Sequence, residues 1–258
     1  MTACMSPAAG HGGGAAGHLP PRVGLGQEGR MIRQLAFDLP APPSLRRDDF
    51  FVSPSNALAL RAVESWATWP GGKLALVGPP GSGKTHLAHV WAAEAGALLL
   101  PGAALGGADV AELAAQGRVA VEDAGAVAGN PPAERALFHL HNLVLAEGGR
   151  LLLTDTVPPA RWPVDLPDLA SRLAATAPAV LEPPDEALLS AVLVKLFADR
   201  QIAVPATLIP WLATRMERSL AAARDLVARI DARSLAEARP VTRSLAAAVL
   251  DSGPGYGP

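Results

Sequence analysis

Gly78-Pro79-Pro80-Gly81-Ser82-Gly83-Lys84-Thr85 follows the apolar run Lys73-Leu74-Ala75-Leu76-Val77 and opens a helical pattern at His86. Strand, glycine-rich loop and helix come in the order that cradles a phosphate chain. Glycine lets backbone N–H groups turn inward, the Lys84 ammonium reaches the outer phosphates, and the Thr85 hydroxyl suits a Mg²⁺ ion. The positive end of the following helix adds to the attraction for an anion. A Gly/Pro surface turn is the competing reading, but it does not account for the full G-x-x-x-x-G-K-T spacing between a strand and a helix. The stretch therefore predicts an α/β domain that binds a nucleotide at Gly78–Thr85, with His86 counted among the contacts.

Working outward, Val119-Ala120-Val121-Glu122-Asp123 is an apolar strand ending in two acids. Acids at the C-terminal tip of a strand meet the crevice where ligands bind in parallel α/β sheets. Glu122 is the candidate for the Mg²⁺ shell, and Asp123 for polarising an attacking water. Arg150-Leu151-Leu152-Leu153-Thr154-Asp155 is a further buried strand, whose tip should lie beside that pair if the sheet is parallel. Thr154 or Asp155 can bond the γ-phosphate or the water; a strand-end cap is the alternative for both. Before the P-loop, Phe50, Phe51 and Val52 precede a helix capped by Ser55 or Asn56 and running to about Trp69. The apolar trio serves either as a wall for the base or as core. His139 and His141 sit two apart and point to different sides of a helix over residues 132–147, so they form no metal pair. His86 and His89 have no acid or cysteine cluster near them in the sequence.

The 258 residues are 50% hydrophobic and 18% charged, which describes a well-cored globular protein. A formal net charge of −2 with mixed signs argues against free-standing duplex binding, which needs a basic face, so any contact with DNA is indirect. The single cysteine, Cys4, excludes an intramolecular disulfide and a Cys-based zinc site. No apolar run reaches the length of a membrane span, and the N-terminus lacks a signal pattern, which places the protein in the cytoplasm.

Along the chain, residues 1–30 are Gly, Ala, Pro and His with few large apolar side chains, and read as a disordered tail. Met31, directly before the first patterned sequence, is an alternative start. Residues 31–44 hold Gln34-Leu35-Ala36-Phe37-Asp38-Leu39, an extended apolar peptide closed by prolines. Leu35, Phe37 and Leu39 can enter a partner's hydrophobic groove with Gln34 as polar anchor; a strand packed on its own domain is the alternative. Residues 45–182 form the α/β domain, and Pro183-Pro184 marks its end. Residues 183–251 repeat apolar side chains at helical spacing and predict an all-helical second domain, with 252–258 a frayed end.

Taken together the chain resembles the AAA+ ATPases of the DnaA initiator family, and more closely the Hda-type branch of DnaA regulatory inactivators. The resemblance runs from about residue 34 to 250. It rests on Asp48-Asp49-Phe50-Phe51-Val52 with Asn56, the P-loop, Leu137-Phe138-His139 with Asn142, Leu152-Leu153-Thr154, and Leu166-Pro167-Asp168-Leu169-Ala170-Ser171-Arg172-Leu173. It implies a parallel five-stranded sheet sandwiched by helices with a small helical lid, and bound ATP or ADP with Mg²⁺. It also implies contact of Phe51, Val52 and Asn56 with the nucleotide, and Arg172 as an arginine finger for a neighbour's nucleotide. An exposed helix arginine with a local carboxylate is the alternative for Arg172. The family's lid arginine falls at Ala221, between Arg218 and Arg224, and Glu122-Asp123 stands where the initiators carry two aspartates. The sequence ends where an initiator continues into a helix-turn-helix domain. With a clamp-like peptide in front, this favours a regulator that docks on the sliding clamp at the replisome and stimulates hydrolysis of ATP held by DnaA. A non-catalytic clamp adaptor and a self-hydrolysing ring of identical subunits are the rival readings.

Overall fold

The computed structural model describes residues 45–252. The tail at 1–30, the peptide bearing Gln34, Leu35, Phe37 and Leu39, and residues 253–258 lie outside the described residues. Five strands, β1 (Lys73–Val77), β2 (Leu98–Pro101), β3 (Arg118–Glu122), β4 (Arg150–Asp155) and β5 (Pro178–Val180), form one sheet of order β2-β3-β4-β1-β5. Every neighbouring pair is parallel. This is the five-stranded parallel α/β fold that the sequence predicts.

Alternation along the strands assigns each face its helices. Val119, Val121, Leu151 and Leu153 pack with α3 (Val110–Ala115), α4 (Pro131–Ala146) and α5 (Pro167–Ala174). The intervening Leu74, Leu76, Ala120 and Leu152 pack with α1 (Ala57–Glu64) and α2 (Lys84–Ala95). Strands covered on both faces read as continuous apolar runs, which is why they are conspicuous in the sequence. A third cluster belongs to α6 (Glu186–Asp199), α7 (Leu208–Ala213), α8 (Leu220–Ala236) and α9 (Arg243–Asp251), and Phe51 packs against it. Side-chain caps start α3 at Asp109, α4 at Asn130, α6 at Asp185, α8 at Ser219 and α9 at Thr242. Each satisfies backbone donors that a helix start leaves open. Among the described residues no helix is long and apolar enough to cross a membrane.

The predicted first helix is too long. It ends at Glu64, and a short 3₁₀ turn at Trp66–Thr68 follows. Trp69 leaves helical geometry because its ring is buried and stacked 5.1 Å from Trp91, with Nε1 donating to Ala62 O at 2.7 Å. Asn56 is the N-cap residue, yet its side chain bonds none of the helix N–H groups. It accepts from Ser53 N and donates to Phe51 O, and so fixes the turn ahead of the helix.

One polar contact crosses the layers. Lys73 Nζ at the start of β1 donates to His141 Nε2 of α4 at 3.1 Å and to the Arg172 carbonyl of α5 at 2.7 Å. An ammonium can only donate, so Nε2 accepts and Nδ1–H faces Asn142 Oδ1 at 3.2 Å. Burial first, then the Lys73 charge, holds the His141 pKa below its ordinary 6.5; burial does the same to His86. For such a group the stabilisation is complete above the unfolded value and is lost as pH falls through the folded one. The thermal midpoint should therefore decline between about pH 7 and about pH 5. His141→Gln, which keeps a neutral acceptor for Lys73, should flatten part of that decline. A variant profile parallel to the wild type would mean that folding does not alter the titration of His141.

Candidate functional site

The phosphate loop leaves the C-terminal end of β1, and its close packing requires the glycines. A β-carbon on Gly78 would lie 2.5 Å from Leu181 O. Gly81 and Gly83 have φ of +72° and +105°, which side chains disfavour. The N-cap of α2 is Gly83, which offers no side-chain cap, so the first-turn N–H groups face the loop without competition. Lys84 Nζ donates to the carbonyls of Gly78 and Pro79 at 2.7 and 3.0 Å. Burial lowers its pKa, while Asp123 and Asp155 oppose that shift. Ser82 Oγ is buried with no hydrogen-bond partner among the described residues.

The parallel register brings the predicted acids to the same edge. Val77 pairs with Asp155 and Leu76 with Thr154, while β3 lies on the other side of β4. Thr154 Oγ1 accepts from Asp123 N at 3.2 Å, and Asp123 takes a left-handed conformation with φ +47°. Glu122 faces α2: its Oε2 lies 4.0 Å from His89 Nε2, and Oε1 is buried without a partner. His89 thus has one acid beside it, which packing of β3 on α2 supplies from a distant part of the chain. Thr85 and His89 share one face of α2, one turn apart. An exposed threonine hydroxyl and an orphaned carboxylate oxygen fit a Mg²⁺ ion that takes its other ligands from phosphate and water. Among the described residues no group of three or more His, Cys, Asp or Glu can hold a metal by itself.

Several candidates are occupied by structural bonds. Asp155 accepts Gly125 N–H through Oδ2 at 2.7 Å and Thr156 N–H through Oδ1. Its geometry is the strand-end cap, leaving it to influence Lys84 by charge. Asn56 is committed to its turn, and His86 Nε2 donates to Arg46 O at 2.9 Å. Of the apolar trio, Phe50 meets the loop: its ring touches His86 edge-on at 5.3 Å and lies 3.8 Å from where a Gly83 β-carbon would stand. Phe51 turns to the helical layer and Val52 is 54% exposed. A wall at the loop thus belongs to Phe50.

The helical layer closes on the loop from the other side. Leu220 N donates to Gly81 O at 2.8 Å, and Ser219 stands against Gly81. Lys195 of α6 pairs with Asp49 at 2.9 Å, and Asp185 accepts Ser55 N and Leu188 N. Ala221 carries no charge beside Gly81, and Arg218 is exposed. Arg224 is the arginine that reaches α2. Burial lowers its pKa, and its charge in turn disfavours protonation of His86. Sequence spacing left Arg218 and Arg224 equivalent; only the docking of α8 separates them.

Arg172 lies at the opposite edge. It occupies the last turn of α5, whose C-terminus leads into the N-terminal end of β5. Its side chain is exposed, with no hydrogen bond or ion pair among the described residues.

A parallel sheet of order β2-β3-β4-β1-β5, a phosphate loop after β1 and a helical layer docked on that loop define an AAA+ fold. No family model matches the chain. It is 26% identical over 255 residues to the chromosomal replication initiator protein DnaA of Thermomicrobium roseum, covering 88% of this chain and 54% of that protein. The chain thus spans about half the length of that curated relative. Domain III of DnaA from Thermotoga maritima superposes with a TM-score of 0.69 at 20% identity, over 82% of this chain and 98% of that one. AMPPCP-bound DnaA from Aquifex aeolicus gives 0.62 at 16% identity, over 76% and 67%. The protein has the AAA+ fold and is similar to DnaA initiators.

The Gly81 contact offers a direct check on the closed layer. Gly81→Ala places a methyl against Ser219 at a left-handed φ and should lower stability by about 1–3 kcal/mol. Gly107→Ala, with open space around it and no positive φ, should change little. Equal thermal midpoints for the two variants would contradict the docking of α8 on the loop.

Proposed function

We propose that this protein is a negative regulator of replication initiation, which binds adenine nucleotide and stimulates hydrolysis of ATP held by a DnaA initiator. The observation that carries this reading is the placement of Arg172. Its guanidinium is exposed and unpaired among the described residues, at the N-terminal edge of the sheet. The chain's own phosphate loop is at the other end of β1, about 13 Å along the strand at the usual rise. A planar, permanently charged fork exposed at the far end of the strand from its own site is suited to a phosphate chain on another subunit.

In this reading ATP or ADP lies on Gly78–Thr85, with Lys84 toward the outer phosphates and Mg²⁺ shared by Thr85 and Glu122. Asp123 and Thr154 occupy the place from which a water or γ-phosphate is approached. Phe50 bounds the pocket, and Arg224 supplies the cation from the lid. The bound nucleotide chiefly fixes the lid and the finger. The longer Glu122, replacing an aspartate of the initiators, and the uncharged Ala221 favour slow intrinsic turnover. Docking on the sliding clamp through Gln34, Leu35, Phe37 and Leu39 would bring the protein to the replisome, where contact with DNA is indirect.

A mixture of ATP-loaded initiator, clamp on DNA and this protein tests the finger. Arg172→Ala should reduce the stimulated release of phosphate by roughly 10³-fold or more; wild-type release would defeat the reading. In the same mixture, replacing Gln34, Leu35 and Phe37 by alanine should lower clamp affinity about tenfold or more with nucleotide affinity unchanged. Undiminished clamp binding would remove the docking step.

A further inference from the structure

The helix that carries Arg172 is held at both ends by buried charge of the sign its dipole favours. At its N-terminal end the Glu134 carboxylate, 2% exposed, accepts the N–H groups of Asp165 and Leu166, and also that of Gly129. At its C-terminal end the Lys73 ammonium, 7% exposed, donates to the carbonyl of Arg172 itself. Anions at a helix start and cations at its end are both favourable.

The C-terminal contact is the unusual one. No carboxylate pairs with Lys73 among the described residues; its partners are a neutral imidazole and a backbone oxygen. The charge that acts on it is the Arg172 guanidinium, of the same sign. A buried ammonium without an acid is a poor stabiliser, and an apolar side chain of similar length would serve folding at least as well. Its geometry does something else. The bond from Nζ, shorter than the one that Thr176 Oγ1 gives the same oxygen at 3.2 Å, ties the backbone of the one residue that bears the finger to β1. Repulsion between the two cations also keeps the guanidinium from folding back onto the strand edge. His141, buried behind Lys73 with its Nδ1–H toward Asn142, sets the direction in which the ammonium points.

We propose that Lys73, backed by His141, is a positioning residue for Arg172: it pins the last turn of α5 and turns the guanidinium outward. This rests on the finger reading above, so the test must separate the two. Lys73→Met in the full chain keeps length and removes the bond and the charge. Its thermal midpoint should equal or exceed that of the wild type, while hydrogen exchange in the last turn of α5 quickens about tenfold and that of β1 and β4 is unchanged. In the initiator assay the maximal stimulated rate should fall about ten- to a hundredfold with the half-saturating initiator concentration unchanged, as expected of a displaced catalytic group rather than of lost binding. Where Lys73→Met does not fold, His141→Phe, which leaves Lys73 in place without its backing, carries the same expectation for exchange and rate, with a lower thermal midpoint because the buried ammonium loses an acceptor. Wild-type exchange in α5, or a wild-type maximal rate in a preparation where Arg172→Ala abolishes stimulation, overturns the positioning role. Should Arg172→Ala itself retain the full rate, the finger reading fails first and the role of Lys73 falls with it.

Discussion

Strand direction is the constraint on which the rest depends. In a sheet whose strands all run one way, the tips of β1, β3 and β4 come out on one edge, and every crossover helix must end on the other. Phosphate loop, acids and Thr154 are therefore gathered without any long side chain having to reach. The same rule delivers the end of α5, and Arg172 with it, to the far edge. Separation of the phosphate loop from Arg172 is a consequence of topology.

Three buried or half-buried cations distinguish the two edges. Lys84 has Asp123 and Asp155 close enough to counter the effect of burial on its charge. Arg224 is half-buried near His86, where burial lowers its pKa. Lys73, at the other edge, has only carbonyl and imidazole. Burying a charge is unfavourable unless it is paired or fully bonded. The first two sit where a polyphosphate would offset that penalty, whereas the third lies too far from the loop for such help and is bonded by the protein alone.

The sheet and the phosphate loop were legible because each rests on local pattern: doubly covered strands are apolar runs, and the loop must be glycine at fixed spacing. Side-chain destinations were less so. Phe50, Phe51 and Val52 are consecutive, and nothing local decides which of them meets the loop; the answer came from α8 docking on Gly81 and drawing Phe51 into the helical layer. Asn56 and Asp155 look like ligands by type, yet neighbouring backbone N–H groups claim both. The end of α1 was misread because the pull on Trp69 is its stacking on Trp91, a residue in another helix. The Lys73–His141 contact joins positions 68 apart in the chain, and a lysine opening an apolar strand gives no hint of it.

β1 is the one element common to both edges. It is buried over its whole length, carries the loop at one end and Lys73 at the other, and is paired on both sides. A close-packed strand of this kind has little freedom to bend. Loop and α5 are thus fixed relative to each other through a rigid member. The helical layer, by contrast, meets the α/β domain through the backbone bond at Gly81, through polar contacts such as Lys195 with Asp49, and through the ring of Phe51. Contacts of that kind are individually modest in water and are the first to give. Whatever occupies the loop can therefore alter the lid far more readily than it can alter the position of Arg172. The side chain that we propose meets a partner in one fixed geometry is thereby tied to the strand rather than to the lid.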